Sequence, residues 1–412
     1  MRDTHLAVSI DEALRLVLDS VRPLGSESVP IMEAANRVLC EDIVADTMVP
    51  PLDDSGMDGY ALIAEDTRGA SREHPVRLQV IGEVQAGALS TGKEVAKGTA
   101  IRIMTGAPIP RGADAVIQVE DTQEDSGFVS VLRETAQFEN YRYAGESIKI
   151  GDEVLFKGDR LTPSKVGILA SLNYDKARVY RQPTVSIVST GNELADIGEE
   201  IRFGQIRNVN AYTLYAEVEK YGGLPRYLGI VKDTMEDTKG IFLKALESDV
   251  VISTGGVSMG KYDFVKDIFS NLGIDIRFEW VKVKPGRPCT FGKKGDKLVF
   301  GLPGNPVSSL TSFIQFVRPA ILRLMGATRI RKPVVNAILE EDIKKQPGKV
   351  FLLRGRFTIR NNDFYVSTTG NQRSSVLRSM SDANCLIVLS EDTARVKAGE
   401  RVSIQLIDHD EI

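Results

Sequence analysis

Residues 9–21, SIDEALRLVLDSV, place Ile10, Leu14, Val17 and Val21 on one helical face. Ser9 and Glu12 stand at capping-box spacing just before that face begins. Residues 50 to about 140 change character. Short β-rich runs, VRLQVIGEV, TAIRIM, DAVIQVED and GFVSVLR, are separated by Gly and Pro turns, which predicts a small, mostly β domain. Residues 151–181 return to β, then to a helix after Pro163, then to β. From Pro183 to about Met325 strand, turn and helix patterns alternate: TVSIVS, a helix near NAYTLYAEVEKYG, RYLGIV, a helix near TMEDTKGIFLKALES, DVVIST, a helix from about Tyr262, KLVFGLPGNP, and VSSLTSFIQFVRPAILRLMG. That alternation predicts a doubly wound parallel sheet. After Pro333 the short β runs VVNAIL, VFLLRGRF, CLIVL and RVSIQLI predict a β-barrel or sandwich.

Length adds to this picture. A chain of 412 residues exceeds what one core ordinarily serves. No apolar run reaches the roughly 20 residues of a membrane helix, and no signal-peptide pattern opens the chain, so a soluble cytoplasmic protein is expected. The net charge of −4 argues against nucleic acid as a partner. Cys40, Cys289 and Cys385 form no Cys-x-x-Cys pair, which fits a reducing compartment. His5, His74 and His409 lie at the termini or in a polar stretch, so neither a Ser-His-Asp triad nor a histidine metal site is expected. Chemistry must rest on carboxylates, Lys, Arg, hydroxyls and backbone groups.

Ligands of open parallel sheets bind beyond the carboxyl ends of the strands. Three turns there carry polar groups. STGNEL offers Ser189, Thr190 and Gly191, with Glu193 as a carboxylate. STGGVSMGKYD offers Gly255, Gly256 and Ser258, whose surroundings let amide N–H groups face an anion, followed by Asp263 as a hard oxygen ligand. GLPGNPVSS offers Pro303, Gly304 and Asn305, with Asn305 expected to cap a helix that starts at Pro306. Each alone is also what a tight strand-to-helix turn needs; three on one edge point to a ligand. Lys282, Lys284 and Arg287 suit a phosphate or oxyanion, or else protect an edge strand. Asp233 is expected to cap the following helix; should it also face the ligand, Glu193, Asp233 and Asp263 would suit Mg²⁺. PPLDDSGMDGYAL and IRIMTGAPIPRGADAVIQVED, which contain Asp58 and Thr105, are dense in turn signals.

The order DDSGMDGYA, RIMTGAPIPRGADAV, STGNEL, GQIRNVN, STGGVSMGKYD, KPGRP, GLPGNPVS closely resembles the molybdopterin molybdenumtransferase family, the metal-insertion enzymes also found as the C-terminal portion of gephyrin. The resemblance runs from about residue 9 to the C-terminus. It implies an α/β multidomain protein: an elongated N-terminal domain (1–50 with 141–182), a β-rich insertion (51–140), the doubly wound molybdopterin-binding domain (183–328) and a C-terminal β-barrel-like domain (329–412). It implies a homodimer with a site shared between the doubly wound domain of one subunit and the β-rich insertion of the other. The implied reaction turns adenylylated molybdopterin and molybdate into molybdenum cofactor and AMP, with Mg²⁺ held by Glu193 and Asp263. Asp58, Glu193, Asp233 and Asp263 would be the catalytic carboxylates and Thr105 a substrate-binding hydroxyl. Lys282, Lys284 and Arg287 would hold anionic groups, Pro303 and Pro306 would shape the pocket, and Arg354 and Ser374 are further matches. A molybdopterin adenylyltransferase is an implied partner. The chain departs from the pattern at Ser147, where an acid is usual after Gly145 and Glu146, at Asn208, and at Asn173. The rival readings are a molybdopterin adenylyltransferase, to which the β-rich insertion and last domain are surplus, and a non-catalytic gephyrin-like scaffold, for which no partner domain or long linker is visible.

Overall fold

A computed structural model of the chain describes residues 7–88, 92–232, 234–255 and 264–407, with the side chains of 264–267 excepted. The predicted first helix spans Ile10–Asp19, and the Ser9 hydroxyl caps it by accepting the Glu12 N–H at 3.2 Å. Ala13 and Val17 are its fully buried positions, and with Val21 they join the core under the central sheet.

That sheet has seven strands among the described residues, in the order Ala7–Val8, Asp275–Val281, Pro288–Lys294, Lys297–Leu302, Val250–Thr254, Thr184–Thr190, Leu224–Val231. The last four form a parallel block. Pro288–Lys294 extends the block antiparallel and pairs in turn with Asp275–Val281. Alternation along Thr184–Thr190 sends Val185 and Ile187 to one face, with Ala211, Leu214 and Val218 of the helix Val209–Lys220. Val188 goes to the other, with Phe242 and Ala245 of the helix Met235–Ala245. Covered on both sides, the strand Val250–Thr254 is buried at every residue. Because the chain passes from Thr184–Thr190 outward to Leu224–Val231 and back across to Val250–Thr254, the strand order reverses between Thr184–Thr190 and Val250–Thr254. That reversal opens a crevice at their carboxyl ends.

The last helical stretch of this region departs from a plain helix. It runs Pro306–Ser312, widens into a π turn at Phe313–Val317 and resumes as Arg318–Leu324. Pro319 is the cause: it has no N–H to give and its ring excludes the carbonyl four residues back, which the wider turn accommodates.

The C-terminal region is a closed barrel. The strand Val350–Arg360 pairs with both Asp363–Thr368 and Cys385–Leu389, and Val334–Leu339 and Arg401–Leu406 complete the ring. DFYVST at 363–368 is the barrel strand that the pattern of short runs did not single out. Val283–Lys284 adds to the barrel beside Val350–Phe351 and so ties it to the central sheet. Among the described residues the β-rich insertion is a six-stranded sheet, and its Gly59–Leu62 strand comes from a stretch read above only as turn signals. A separate core gathers Val29, Leu39 and Ile43 with Leu155, Leu169 and Val179 from the far side of that insertion.

Candidate active site

At the crevice of the central sheet lies a cavity of about 380 Å³ lined by Thr190, Glu193, Leu194, Ile206, Asn210, Thr254, Gly255, Pro288, Pro303, Gly304 and Asn305. The three loaded turns therefore meet, as far as they are described. Gly255 has φ +86°, and a Cβ there would stand 2.5 Å from the Thr190 carbonyl oxygen, so only glycine lets the two strand ends approach. A side chain at Gly191 would meet the Glu193 carboxylate at 2.6 Å, which is how that exposed carboxylate folds back over the turn. Asn210 ties the third turn in by donating its Nδ2–H to the Gly304 carbonyl at 2.8 Å.

Two expectations change here. Ser189 does not face the cavity: its side chain is fully buried and its hydroxyl donates to Asn208 Oδ1 at 3.1 Å. Asn305 precedes a helix whose first residue is Pro306, as expected, but its side chain makes no capping bond. Its backbone carbonyl accepts the Ser309 N–H instead, and the exposed amide side chain lines the cavity. Asp233, Gly256, Ser258 and Asp263 lie outside the described residues. The helix that Asp233 was expected to cap is capped by Thr234, whose hydroxyl accepts the Asp237 N–H.

Pro288, Pro303 and Asn305 also wall a second cavity of about 930 Å³ between the central sheet and the barrel. Its cations are Lys284, Arg287, Lys344, Lys349, Arg354 and Arg373, and Ser374 lies among them. The acidic residue in its lining, Asp342, is already paired with Arg395 and accepts the Ala398 N–H, and these partners hold its carboxyl below the usual range. Arg354 is wholly buried, bonded to the Ser379 hydroxyl at 3.2 Å and to the carbonyls of Asn371 and Arg373 at 3.4 and 3.3 Å. Burial brings its pKa down to about 10, so it is a cation at neutral pH. Lys284 and Arg287 also lie over the Phe351 and Trp280 rings, at 5.0 and 5.2 Å. Lys282 is exposed but lines neither cavity; its backbone bridges Val8 and Val350. Pro306 lines neither as well. Sequence reasoning did not find Lys344, Lys349 or Arg373. They carry no local motif, and barrel closure alone brings them to the cleft.

Asp58 and Thr105 form a third group, on the β-rich insertion. Both are exposed, and neither lines either cavity. The Thr105 N–H and hydroxyl both donate to Asp58 Oδ1 at 2.7 Å, and these bonds hold the carboxyl below its ordinary value. At the Ser147 departure, the neighbouring Glu146 carboxylate accepts the Tyr143 N–H within its own turn.

A doubly wound sheet with a cavity at its switch point and a cation-lined cleft beside it is the arrangement in which α/β proteins take small-molecule ligands. Comparison with known proteins narrows the class. Family models match residues 8–173 (MoeA N-terminal region, domain I and II), 186–323 (probable molybdopterin binding domain) and 336–407 (MoeA C-terminal region, domain IV). The molybdopterin molybdenumtransferase of Bacillus subtilis (strain 168) is 36% identical over 412 residues, 99% of this chain and 96% of its own length. That of Haemophilus influenzae (strain KW20 / Rd) is 36% identical over 98% of this chain and 99% of its own. The crystal structure of the molybdopterin biosynthesis MoeA protein from Pyrococcus horikoshii OT3 is similar with a TM-score of 0.81 and 36% identity, covering 97% of this chain and 100% of that one. The chain belongs to the molybdopterin molybdenumtransferase family.

Proposed function

We propose that this protein inserts molybdate into adenylylated molybdopterin and releases AMP. The observation that carries the reading is the adjacency of the two cavities across Pro303 and Asn305. One sits where a doubly wound sheet binds its ligand; the other concentrates six cations around a space ample for a tetrahedral oxyanion. Molybdate as substrate is held in the cleft by Lys284, Arg287 and Arg354. The phosphorylated pterin lies along the strand ends, where Pro303 and Gly304 shape the turn against it. Water attacks the pterin's phosphorus as the phosphoanhydride P–O bond breaks, AMP departs with the bridging oxygen, and the cations offset the charge that grows on it; molybdate takes the two sulfurs of the pterin's dithiol and gives up one oxygen, which leaves as water with the two thiol protons.

Among the described residues no group of three or more His, Cys, Asp or Glu is arranged to hold a metal ion. The donors at the strand-end cavity, the Glu193 carboxylate and threonine hydroxyl oxygens, are hard and of the kind Mg²⁺ takes. Glu193 would hold it with Asp263, and it would supply charge neutralisation at the leaving phosphate.

Asp58 and Thr105 act, in this reading, on the partner's strand-end cavity in a homodimer. What supports the shared site is that both are exposed and stand apart from the cavities of their own chain. The β-rich insertion is then one domain of four, flanked by the 1–50 and 141–182 segments. Among the described residues no helix is long and apolar enough to cross a membrane, which accords with a cytoplasmic enzyme receiving its substrate from a molybdopterin adenylyltransferase.

The test is AMP release from adenylylated molybdopterin with and without molybdate and tungstate. Absence of oxyanion-dependent release would end the reading. Mixing Asp58→Asn with Glu193→Gln protein tests the shared site, since mixed dimers regain an intact copy; a mixture no more active than its components argues for a site within one subunit.

A further inference from the structure

We infer that the floor of the strand-end cavity is a hydrogen-bond acceptor surface, its polarity set by Asn208 and Ser189, and that it takes N–H or O–H donors of the substrate rather than its anionic oxygens. The inference rests on the substrate reading above and says which chemical face of that substrate the cavity selects.

The direction of each bond follows from groups that have no choice. Asn208 caps the helix Val209–Lys220 with its Oδ1, which accepts the Ala211 N–H. Its Nδ2 therefore faces the other way and donates to the Tyr227 hydroxyl at 2.8 Å. Tyr227 in turn donates to the Asp196 carboxylate at 2.8 Å, where the Tyr212 hydroxyl also donates at 2.6 Å. Burial raises the Asp196 pKa, but the two tyrosine hydroxyls, the Ile197 N–H and the nearby Arg207 together outweigh it and keep the group an anion and an acceptor. With Asn208 oriented at both ends, Ser189 can only donate to its Oδ1, at 3.1 Å. The Ser189 proton being engaged, Thr254 must donate to Ser189, at 3.4 Å.

Every proton of this hydrogen-bonded series is thus engaged by a neighbour, and Thr254, which lines the cavity, keeps only lone pairs to offer. Thr190 is in the same position, because its hydroxyl donates to the Thr254 carbonyl at 3.3 Å, an atom that can only accept. Asn210 supplies an independent sign. Its Nδ2 is engaged by Gly304, while its Oδ1 is buried without a hydrogen-bond partner among the described residues, in a residue that lines the cavity and is 8% exposed. A buried acceptor left open in this way calls for a donor. With the Glu193 carboxylate at the mouth, four residues from two turns and one helix offer lone pairs to one space. An amino group, a ring N–H or a hydroxyl fits it; a phosphate or molybdate oxygen with no cation beside it does not, and finds cations in the neighbouring cleft.

The experiment measures kcat and KM for adenylylated molybdopterin, by AMP release, in Ser189→Ala, Asn208→Ala and Asn208→Asp. Ser189→Ala frees the Thr254 proton to turn into the cavity, and KM rises about three- to tenfold while kcat stays within about twofold. Asn208→Ala raises KM likewise, and the double variant is no worse than the larger single, because both cut one chain. Asn208→Asp keeps an acceptor for both the Ala211 N–H and the Ser189 hydroxyl, and restores KM to within about twofold of the parent protein. Inhibition by AMP tells which half of the substrate supplies the donors: a constant that rises with KM in Ser189→Ala assigns them to the nucleotide, an unchanged one to the pterin. A folded Ser189→Ala with the parent KM overturns the inference, as does an Asn208→Asp as weak in KM as Asn208→Ala. Parent protein that releases no AMP overturns the substrate reading itself.

Discussion

Thr105 donates its N–H and its hydroxyl to one carboxylate oxygen of Asp58, each at 2.7 Å. The pair sits on the β-rich insertion in full contact with solvent, so two directed bonds, and not burial, tune that carboxylate.

Thr105→Val keeps the N–H and removes the hydroxyl. The Asp58 pKa then moves up towards its ordinary value. A depressed carboxylate pKa means that the charged pair persists above the ordinary value and is lost as pH falls through the folded one, so the acid limb of AMP release shifts to higher pH in the variant. Carboxyl NMR titration and the pH–rate profile check this; superimposable acid limbs refute it. Asp58→Asn retains an acceptor for Thr105 and loses the charge, and is expected to lower AMP release about tenfold or more without unfolding the protein.

Arg354 is a buried guanidinium whose described partners are neutral, a hydroxyl and carbonyls. In Arg354→Met the molybdate concentration for half-maximal AMP release rises about tenfold or more. An unaltered molybdate requirement in the variant removes Arg354 from the oxyanion's site.

Gly255→Ala forces a Cβ against the Thr190 carbonyl at a φ that L side chains rarely adopt. The strand ends must separate, at a cost of about 1–3 kcal/mol. Urea unfolding reads the loss of stability and AMP release the loss of the cavity; a variant equal to the parent in both would show that the crevice does not need this contact.

Asp249 anchors the opposite end of the sheet. It accepts both Arg181 guanidinium nitrogens at 2.9 and 3.0 Å, and the Thr184 N–H and hydroxyl at 2.9 Å. Burial raises its pKa, but Arg181 and Thr184 outweigh burial and bring it to about 2. The unfolded value is about 3.9, so its stabilisation is complete above that pH and is lost as pH falls towards 2. The contribution is roughly 1–2 kcal/mol after solvent screening. Asp249→Asn is expected to lose that amount at pH 7 and to flatten the urea midpoint between pH 4 and 2, with kcat within about twofold; equal slopes in parent and variant contradict it.

Much of the architecture was legible because local pattern and tertiary demand coincide. TVSIVS and DVVIST read as strands since a sheet covered on both faces needs continuous apolar runs. Ser9 and Pro163 marked helix starts through groups that act within one turn. DFYVST was missed because a barrel strand that is half-buried on both sides shows little alternation.

What the residues alone determined is which turns could carry a ligand: small residues and glycines at strand ends permit close backbone approach wherever they occur, and the ordered motifs marked the family. What tertiary structure alone decided is which side chains those turns turn outward. Ser189 and Thr190 are neighbours in the chain, yet strand alternation and the Asn208 cap send one hydroxyl into the core and leave the other at the cavity. Barrel closure brought Arg354 and Arg373 to Lys284 across the fold, because electrostatic partnership depends on distance in space, which a linear order of residues does not contain.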